Sequence, residues 1–453
     1  MWTSPTNAFT RGRDPSCRRR GRVVSSRDAG AAERTHPPDG TSHQRSARIT
    51  RPPAGANDEK EHTTRGENRV NATVLFDARL VLGKPTGIGR YIASILPELV
   101  RRAPETTFRI LRREEPWPGY ELEGVGGPNV EHVVTSLPHM SLRQHVELPR
   151  VARRLGADLL HYPHFDAPVD PGGVPVVVTI HDTKQLPGSG LGNSLPLFRR
   201  LALRVLMKRT LTSAAAVISV SKTTSESLER FVPGCSDRTT VVYEASDPDF
   251  RPASERAVEV LRRARSLERP FVLTVSERRP HKNIEGLLRS YARSRCRSSH
   301  DLVVVGRPWR DYRGPERALR ELGLSTSVRI LGDVAHDELV AFYTAADAFA
   351  LVSFYEGFGL PLLEAMACKT PVVASTTSAA GEIVGDAGVK VDPTDHAAIA
   401  DALDRVVLDR ELHDSLIERG LDRESEFTWG RAAEETLDVY RRVLEGRPAA
   451  RRR

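Results

Sequence analysis

"AFALVSFYEGFGLPLLEAMACKTPVVAS", residues 348–375, reads as a strand, a turn, a helix and a second strand. AFALVS (348–353) and PVVAS (371–375) are apolar almost throughout, as strands of a parallel sheet covered on both faces are. FYEGFGL (354–360) is a glycine-studded turn. Pro361 suits a first helical turn because it has no N–H to leave unpaired. Two carboxylates bracket the turn. Glu356 lies on it, and Glu364 falls in the first helical turn, near the positive end of the dipole, where a carboxylate is stabilised.

The same rhythm extends in both directions. TVLFDA (73–78), TFRIL, VEHVV, DLLHYP, VPVVVTIHD, SAAAVISVS (213–221) and RTTVVYEA (238–245) are strand-like runs. They alternate with helical stretches such as GRYIASILPELVRR (89–102) and KTTSESLERF, or with turn residues. SDPDFRPASER (246–256), with two prolines, reads as a linker. A second alternating block runs from PFVLTVS (270–276) through helix 283–294, DLVVVG, a helix near 315–323, VRILG and helix 336–346 to the opening stretch. The fold class is therefore α/β: two doubly wound, Rossmann-like domains facing across a cleft. The expected boundaries are an N-terminal domain over 70–250, a C-terminal domain over 251–429, and a closing helix with a basic tail over 430–453. That helix is expected to fold back over the cleft.

The net charge is +8, but it belongs to the ends. Residues 1–69 hold 14 Lys+Arg against 8 Asp+Glu, and Arg451, Arg452 and Arg453 close the chain. The folded body is close to neutral, so no nucleic-acid partner is expected. Residues 1–69 read as a disordered Arg-rich extension without apolar period. A translation start near Val70 is a second expectation for this end. No secretory h-region is present. No run of 18 apolar residues appears, which argues against a membrane span. Cys17, Cys235, Cys296 and Cys368 are scattered, with no Cys-x-x-Cys, which suits a reducing compartment.

Three further stretches fall at strand ends. TGIGRY (86–91) places Gly87 and Gly89 in a turn before a helix, where backbone N–H groups approach an anion. Ile92 stands where a dinucleotide fingerprint needs a third glycine, so a plain helix-entry turn is the competing reading. TIHD (179–182) brings His181 and Asp182 to the end of an apolar strand, where catalytic groups sit; the alternative is a capping aspartate and a packed histidine. SERRPHKN (276–283) gathers Arg278, Arg279, His281 and Lys282 at a helix start. A fixed lysine plus a helix N-terminus suits a diphosphate, against the alternative of a solvated basic loop. In the opening stretch, Glu364 suits the vicinal hydroxyls of a ribose, since a carboxylate accepts two hydrogen bonds. Glu356 suits sugar hydroxyls, and the amides of Gly357, Phe358 and Gly359 suit phosphates or the sugar.

Taken in order, EGFGLPLLE, FDARLVLGKPTGIGRY, DLLHYPHFDAP, VVVTIHD, AAVISVSKTTSESL, VSERRPHKN, VRILGDVAHDELVAFYTAADAFALVSFYEGFGLPLLEAMACKTPVVAS and GEIVGDAGVKVDP resemble a known family over about 70–445. The chain is similar to the retaining nucleotide-sugar glycosyltransferases of GT-B fold, family 4 (group 1, mannosyltransferase B-like). The resemblance implies transfer of a hexose, such as mannose, from a nucleoside-diphosphate sugar to a glycan or glycolipid hydroxyl in cell-envelope polysaccharide synthesis. It implies that Glu364 holds the donor ribose, Glu356 the transferred sugar and Lys282 the diphosphate. Gly87 and Gly89 bring the first loop over the phosphates, and His181 sits beside the donor sugar. Glu382, in AAGEIVG, matches a recurring glutamate. The chain departs from the family at Ser276, at His281 and across YEASDP (243–248), which leaves the donor identity open.

No Asp-x-Asp metal motif stands at a strand end. No cofactor and no essential metal are expected, fixed positive groups serving the leaving diphosphate instead. No carboxylate nucleophile is assignable, so front-face attack is the family-based expectation. LPLFRRLALRVLMKRTL (195–211) has Arg200, Arg204 and Lys208 in one stripe and Phe198, Leu201, Ala202, Val205 and Leu206 on the other side. It is read either as a helix packed on its sheet by the apolar side or as a peripheral contact with an anionic membrane. A cytoplasmic location follows from the same resemblance. The rival readings are a phosphorylase, for which no pyridoxal lysine signature is present, and a non-catalytic sugar-nucleotide-binding scaffold of a polysaccharide assembly.

Overall fold

The computed structural model of the chain describes residues 71–81, 86–114, 125–184, 186, 197–310 and 312–446. The expected extension over 1–69 and the arginines at 451–453 lie outside the described residues.

The first sheet is parallel throughout. Its strands are β1 (Thr73–Asp77), β2 (Thr107–Arg112), β3 (Val130–Val134), β4 (Leu159–Tyr162), β5 (Val176–Ile180), β6 (Ala216–Ser219) and β7 (Thr239–Val241), in the order β3-β2-β1-β4-β5-β6-β7. The second, also parallel, contains β8 (Phe271–Val275), β9 (Asp301–Val305), β10 (Val328–Leu331), β11 (Ala348–Leu351), β12 (Val372–Ser375) and β13 (Gly388–Val391), in the order β10-β9-β8-β11-β12-β13. Strands β4, β5 and β6 are buried at every residue, as is β11. This is why their sequences run apolar rather than alternating.

The topology selects which loops make the site. Each sheet starts at an inner strand, runs out to one edge, and returns to the other side of that strand. The order reverses between β1 and β4 in the first sheet and between β8 and β11 in the second. A crevice opens at such a switch point, beyond the carboxyl ends of the strands. The loops after β1, β8 and β11 are those that carry TGIGRY, SERRPHKN and FYEGFG.

Beyond Ser375 the chain adds β13 and the helices His396–Leu408 and Arg410–Ser425. The strand had no clear sequence signal, since GVKV sets two valines beside a glycine and a lysine. The helix Trp429–Glu445 returns to the first half. It lies against the helix Gly87–Arg102, with the Trp429 and Tyr91 rings 5.9 Å apart and Arg102 bonded to Glu434 at 2.6 Å. Its Tyr440 hydroxyl reaches the ring of His161 on β4, whose other nitrogen meets the Thr179 hydroxyl at 2.8 Å. The imidazole is thereby satisfied inside the sheet.

The helix Leu197–Ser213 overturns the reading in which its apolar side packs on the sheet. Phe198 is 70% exposed, Leu201 59% and Val205 47%, and Leu197 is exposed beside them. Arg200 and Arg204 are half-buried instead, and the packed residues are Met207, Thr210 and Leu211.

Candidate functional site

The turn after β11 meets the loop after β8 through one ion pair. Lys282 Nζ lies 2.7 Å and 2.8 Å from the two carboxylate oxygens of Glu356. Glu356 is buried, and its own N–H donates to the Ser378 hydroxyl at 2.8 Å. Gly359 has φ +112°, a left-handed conformation open to glycine, and it turns the chain into the helix Leu360–Ala367. Among the described residues, the amides of Gly357, Phe358 and Gly359 have no hydrogen-bond partner. They stand at a helix start, where unpaired N–H groups favour an anion. The Phe358 ring is buried near Tyr243 and Phe427.

Glu364 lies one turn into that helix rather than in its first turn, where the sequence placed it, because the helix already begins at Leu360; it is almost fully buried. One oxygen accepts from Arg90 Nη1 at 2.6 Å and the other from the Tyr343 hydroxyl at 2.7 Å. Burial, with the Glu364 charge next to it, holds the Tyr343 phenol well above its ordinary pKa, so it stays protonated as a donor. Arg90 belongs to the helix Gly87–Arg102, whose start is capped by the Thr86 hydroxyl accepting from Gly89 N–H at 3.0 Å. Among the described residues, a Cβ at Gly87 would meet no atom within 4 Å, so their packing leaves that space open.

His181 and Asp182 follow β5 from the other side of the cleft. His181 Nδ1 lies 2.8 Å from Glu244 Oε1. Facing a carboxylate, Nδ1 carries the proton, and in the neutral ring Nε2 is then an acceptor. That Nε2 is buried and has no hydrogen-bond partner among the described residues. The Tyr91 ring meets the imidazole edge-on at 4.7 Å. Asp182 pairs with Lys184 at 2.6 Å. The two halves touch here: a Cβ on Gly357 would sit 1.9 Å from the His181 carbonyl oxygen. The Gly357 carbonyl accepts from the hydroxyls of Ser221 at 2.8 Å and Thr224 at 3.3 Å.

Other members of the basic loop are placed elsewhere. Arg278 is buried and donates to the carbonyls of Gly306 and Leu331, so it ties loops of the second sheet together. Arg279 pairs with Glu277 at 2.6 Å and lies over the Trp309 ring at 5.2 Å. Burial, with Lys282, Lys184 and Arg279 around it, pushes the His281 pKa down to about 3, so this ring is uncharged.

One working residue escaped the sequence reading, and a second, Glu382, was placed there without a role. Glu244, the partner of His181, lies within YEASDP, where departure from the family pattern was the available signal. Glu382 accepts from the N–H groups of Lys222 at 2.8 Å and Thr223 at 2.9 Å, and from the Tyr243 hydroxyl at 2.8 Å. It caps a helix of the first half from the second. Among the described residues, the His/acid groupings close enough to share a cation are His139, His164 and Asp166, and Asp247, Asp249 and His336. Neither includes Lys282, Glu356 or Glu364.

The chain matches two family profiles, Glycosyltransferase Family 4 over residues 85–250 and Glycosyl transferases group 1 over residues 260–423. It is 33% identical over 242 residues to the O-antigen chain mannosyltransferase B of Escherichia coli, covering 52% of this chain and 62% of that protein. The match thus spans less than two thirds of that relative. It is 28% identical over 416 residues to the D-inositol 3-phosphate glycosyltransferase of Kineococcus radiotolerans, covering 82% of this chain and 93% of that protein. The structure of Anabaena HepE in complex with UDP and glucose superposes with a TM-score of 0.63 at 21% identity, over 83% of this chain and 98% of that one. At that identity the likeness is one of fold, the two-domain GT-B architecture.

Proposed function

Because the chain belongs to the family of group 1 glycosyltransferases, we propose that it moves a hexose from a nucleoside-diphosphate sugar to a glycan or glycolipid hydroxyl, with retention. Mannose is the sugar we assign, supported by the likeness to the O-antigen mannosyltransferase. Assembly of a cell-envelope polysaccharide at the cytoplasmic face of the membrane is the setting.

The observation that carries this reading is the arrangement around Glu356. Its carboxylate is held by Lys282 beside three amides that have no partner among the described residues, at the start of the helix bearing Glu364. Lys282 and these amides neutralise the departing diphosphate, so no metal is needed for that step. Glu364 takes the ribose hydroxyls, exchanging Arg90 for them. Glu356 is bound by an ammonium at both oxygens, which makes it a sugar-orienting group rather than a free nucleophile. His181 offers Nε2 to a donor-sugar hydroxyl, its proton kept on Nδ1 by Glu244. Gly87 leaves room for the phosphates at the start of the helix Gly87–Arg102.

The exposed helix Leu197–Ser213 fits a peripheral membrane contact. Leu197, Phe198, Leu201 and Val205 are exposed together with Arg199, Lys208 and Arg209. Apolar side chains beside cations suit an anionic lipid surface. Among the described residues, no helix is long and apolar enough to cross a membrane.

The deciding experiment is calorimetric titration of nucleoside diphosphates and their sugars, with EDTA present. One nucleoside diphosphate binds wild type selectively, and Glu364→Ala abolishes that binding. Turnover with the matching sugar donor survives EDTA. A protein that binds none of the panel is not the enzyme described here.

A further inference from the structure

A cavity of about 570 Å³ opens beside the Glu356 turn. Its wall comes from both halves of the protein, and none of Arg90, Lys282, Tyr343 and Glu364 lines it. It is therefore separate from the groups assigned to the nucleotide. Three links tie it to Glu356 and His181. Thr183, two residues after His181, donates its N–H to the Tyr355 hydroxyl at 2.6 Å. Tyr355 immediately precedes Glu356. Ser378 accepts the Glu356 N–H at 2.8 Å.

The wall has a marked chemistry. Among the described residues its lining includes the hydroxyl-bearing Thr183, Thr223, Ser227, Tyr355, Thr377 and Ser378, and Arg230 is its sole charged residue, with no carboxylate in the wall. Arg230 donates to the Ser227 hydroxyl at 3.1 Å. Phe231 and Phe354 supply apolar faces, and Phe354 is 41% exposed. Ser378 is held at φ +59°, a conformation that costs a non-glycine residue and persists where its surroundings fix it. Its hydroxyl bridges the Thr377 carbonyl at 2.6 Å and the Glu356 amide.

Hydroxyl groups both donate and accept, which matches the hydroxyls of a sugar. Aromatic faces match its C–H faces. A guanidinium without a carboxylate beside it matches a phosphate or carboxylate through paired N–H groups. The volume lies in the range of small-molecule sites. We propose that this cavity is the acceptor site, and that the acceptor's terminal sugar bears one anionic substituent, placed against Arg230. The proposal rests on the donor reading above, because it takes Glu356 and His181 as the point where the transferred sugar lies. The anionic group does not take part in the reaction; it orients the acceptor hydroxyl toward the donor.

The test uses the full chain saturated with its nucleoside diphosphate, so that Lys282 is occupied. Mannose, mannose 6-phosphate, glucuronic acid and inorganic phosphate are titrated by calorimetry into wild type and Arg230→Gln. The two anionic sugars are expected to bind at least tenfold tighter than mannose and than inorganic phosphate. Arg230→Gln removes that advantage and leaves nucleotide affinity unchanged. Which of the two anionic sugars binds tighter tells a phosphate from a carboxylate. Equal affinities for mannose and the anionic sugars overturn the proposal, and so does an advantage that survives in Arg230→Gln. Inorganic phosphate binding as tightly as the sugars also overturns it, since the hydroxyls then do nothing. If no nucleoside diphosphate binds, the donor reading has failed on its own. The same sugar titrations on the free protein then decide the cavity separately.

Discussion

Arg90 and Glu364 are 274 positions apart in the chain, and their side chains meet at 2.6 Å across the cleft. The guanidinium is about one fifth exposed and the carboxylate almost fully buried. The pair joins the first helix of one domain to the helix that follows the β11 turn in the other.

Removing Arg90 leaves the Glu364 carboxylate, among the described residues, with the Tyr343 hydroxyl. Arg90→Ala is expected to lower stability by about 2 kcal/mol, less than for a fully buried pair because the arginine reaches solvent. Urea unfolding of wild type and variant measures this. A midpoint equal to wild type means that the contact does not hold the halves together in solution.

Gly357 has no room for a side chain, since a Cβ would lie 1.9 Å from the His181 carbonyl oxygen. Gly357→Ala therefore forces the cleft walls apart. The expected result is a folded protein that still binds nucleotide and turns over about a hundredfold more slowly, as an ångström-scale misplacement costs. Full activity in this variant removes the contact from the working conformation.

Acid should unfold the protein earlier than its carboxylates alone require. Burial pushes His161 down to about 3 and His139 to about 4, and burial with neighbouring cations takes His281 to about 3. The unfolded chain binds protons at these rings below its ordinary pKa of about 6.5, and the native state does not. Stability is thus fully present above that value and falls as pH drops from about 6.5 toward about 4, by roughly 1.4 kcal/mol per pH unit for each ring. Urea midpoints at pH 7.5, 6 and 5 reveal the slope, and His281→Gln makes it shallower. A flat profile over this range rules the account out.

Phe198→Asp and Leu201→Asp place charge on the exposed face of the helix Leu197–Ser213. Sedimentation with anionic vesicles is expected to fall at least tenfold in the double variant, and high salt weakens the wild-type binding. Wild type that stays in the supernatant with anionic vesicles refutes the membrane contact.

The loops that form the site were legible because their signals are local. A buried strand, a glycine turn and Pro361 at a helix start locate Glu356 and Glu364 within one short stretch. The clustering of charge at a helix start likewise located Lys282. The face of the helix Leu197–Ser213 was misread because amphipathic spacing tells which residues share a side, not which side meets the protein. Glu244 stood only within a stretch that departs from the family pattern, and its role stayed hidden because it depends on a histidine 63 positions earlier.

The sequence by itself determined two doubly wound domains, the order of their strands and helices as far as Ser375, and which loops end at the crevice. Each follows from periodicity and backbone chemistry over a few residues. The tertiary structure alone decided the pairings: Arg90 with Glu364, Lys282 with Glu356, His181 with Glu244, and Glu382 on the helix Lys222–Phe231. It also decided that the last helix returns to the first sheet through Tyr440 and His161. These contacts depend on how two folded sheets face each other, and a charge or ring acts over a few ångströms of space without regard to its distance along the chain.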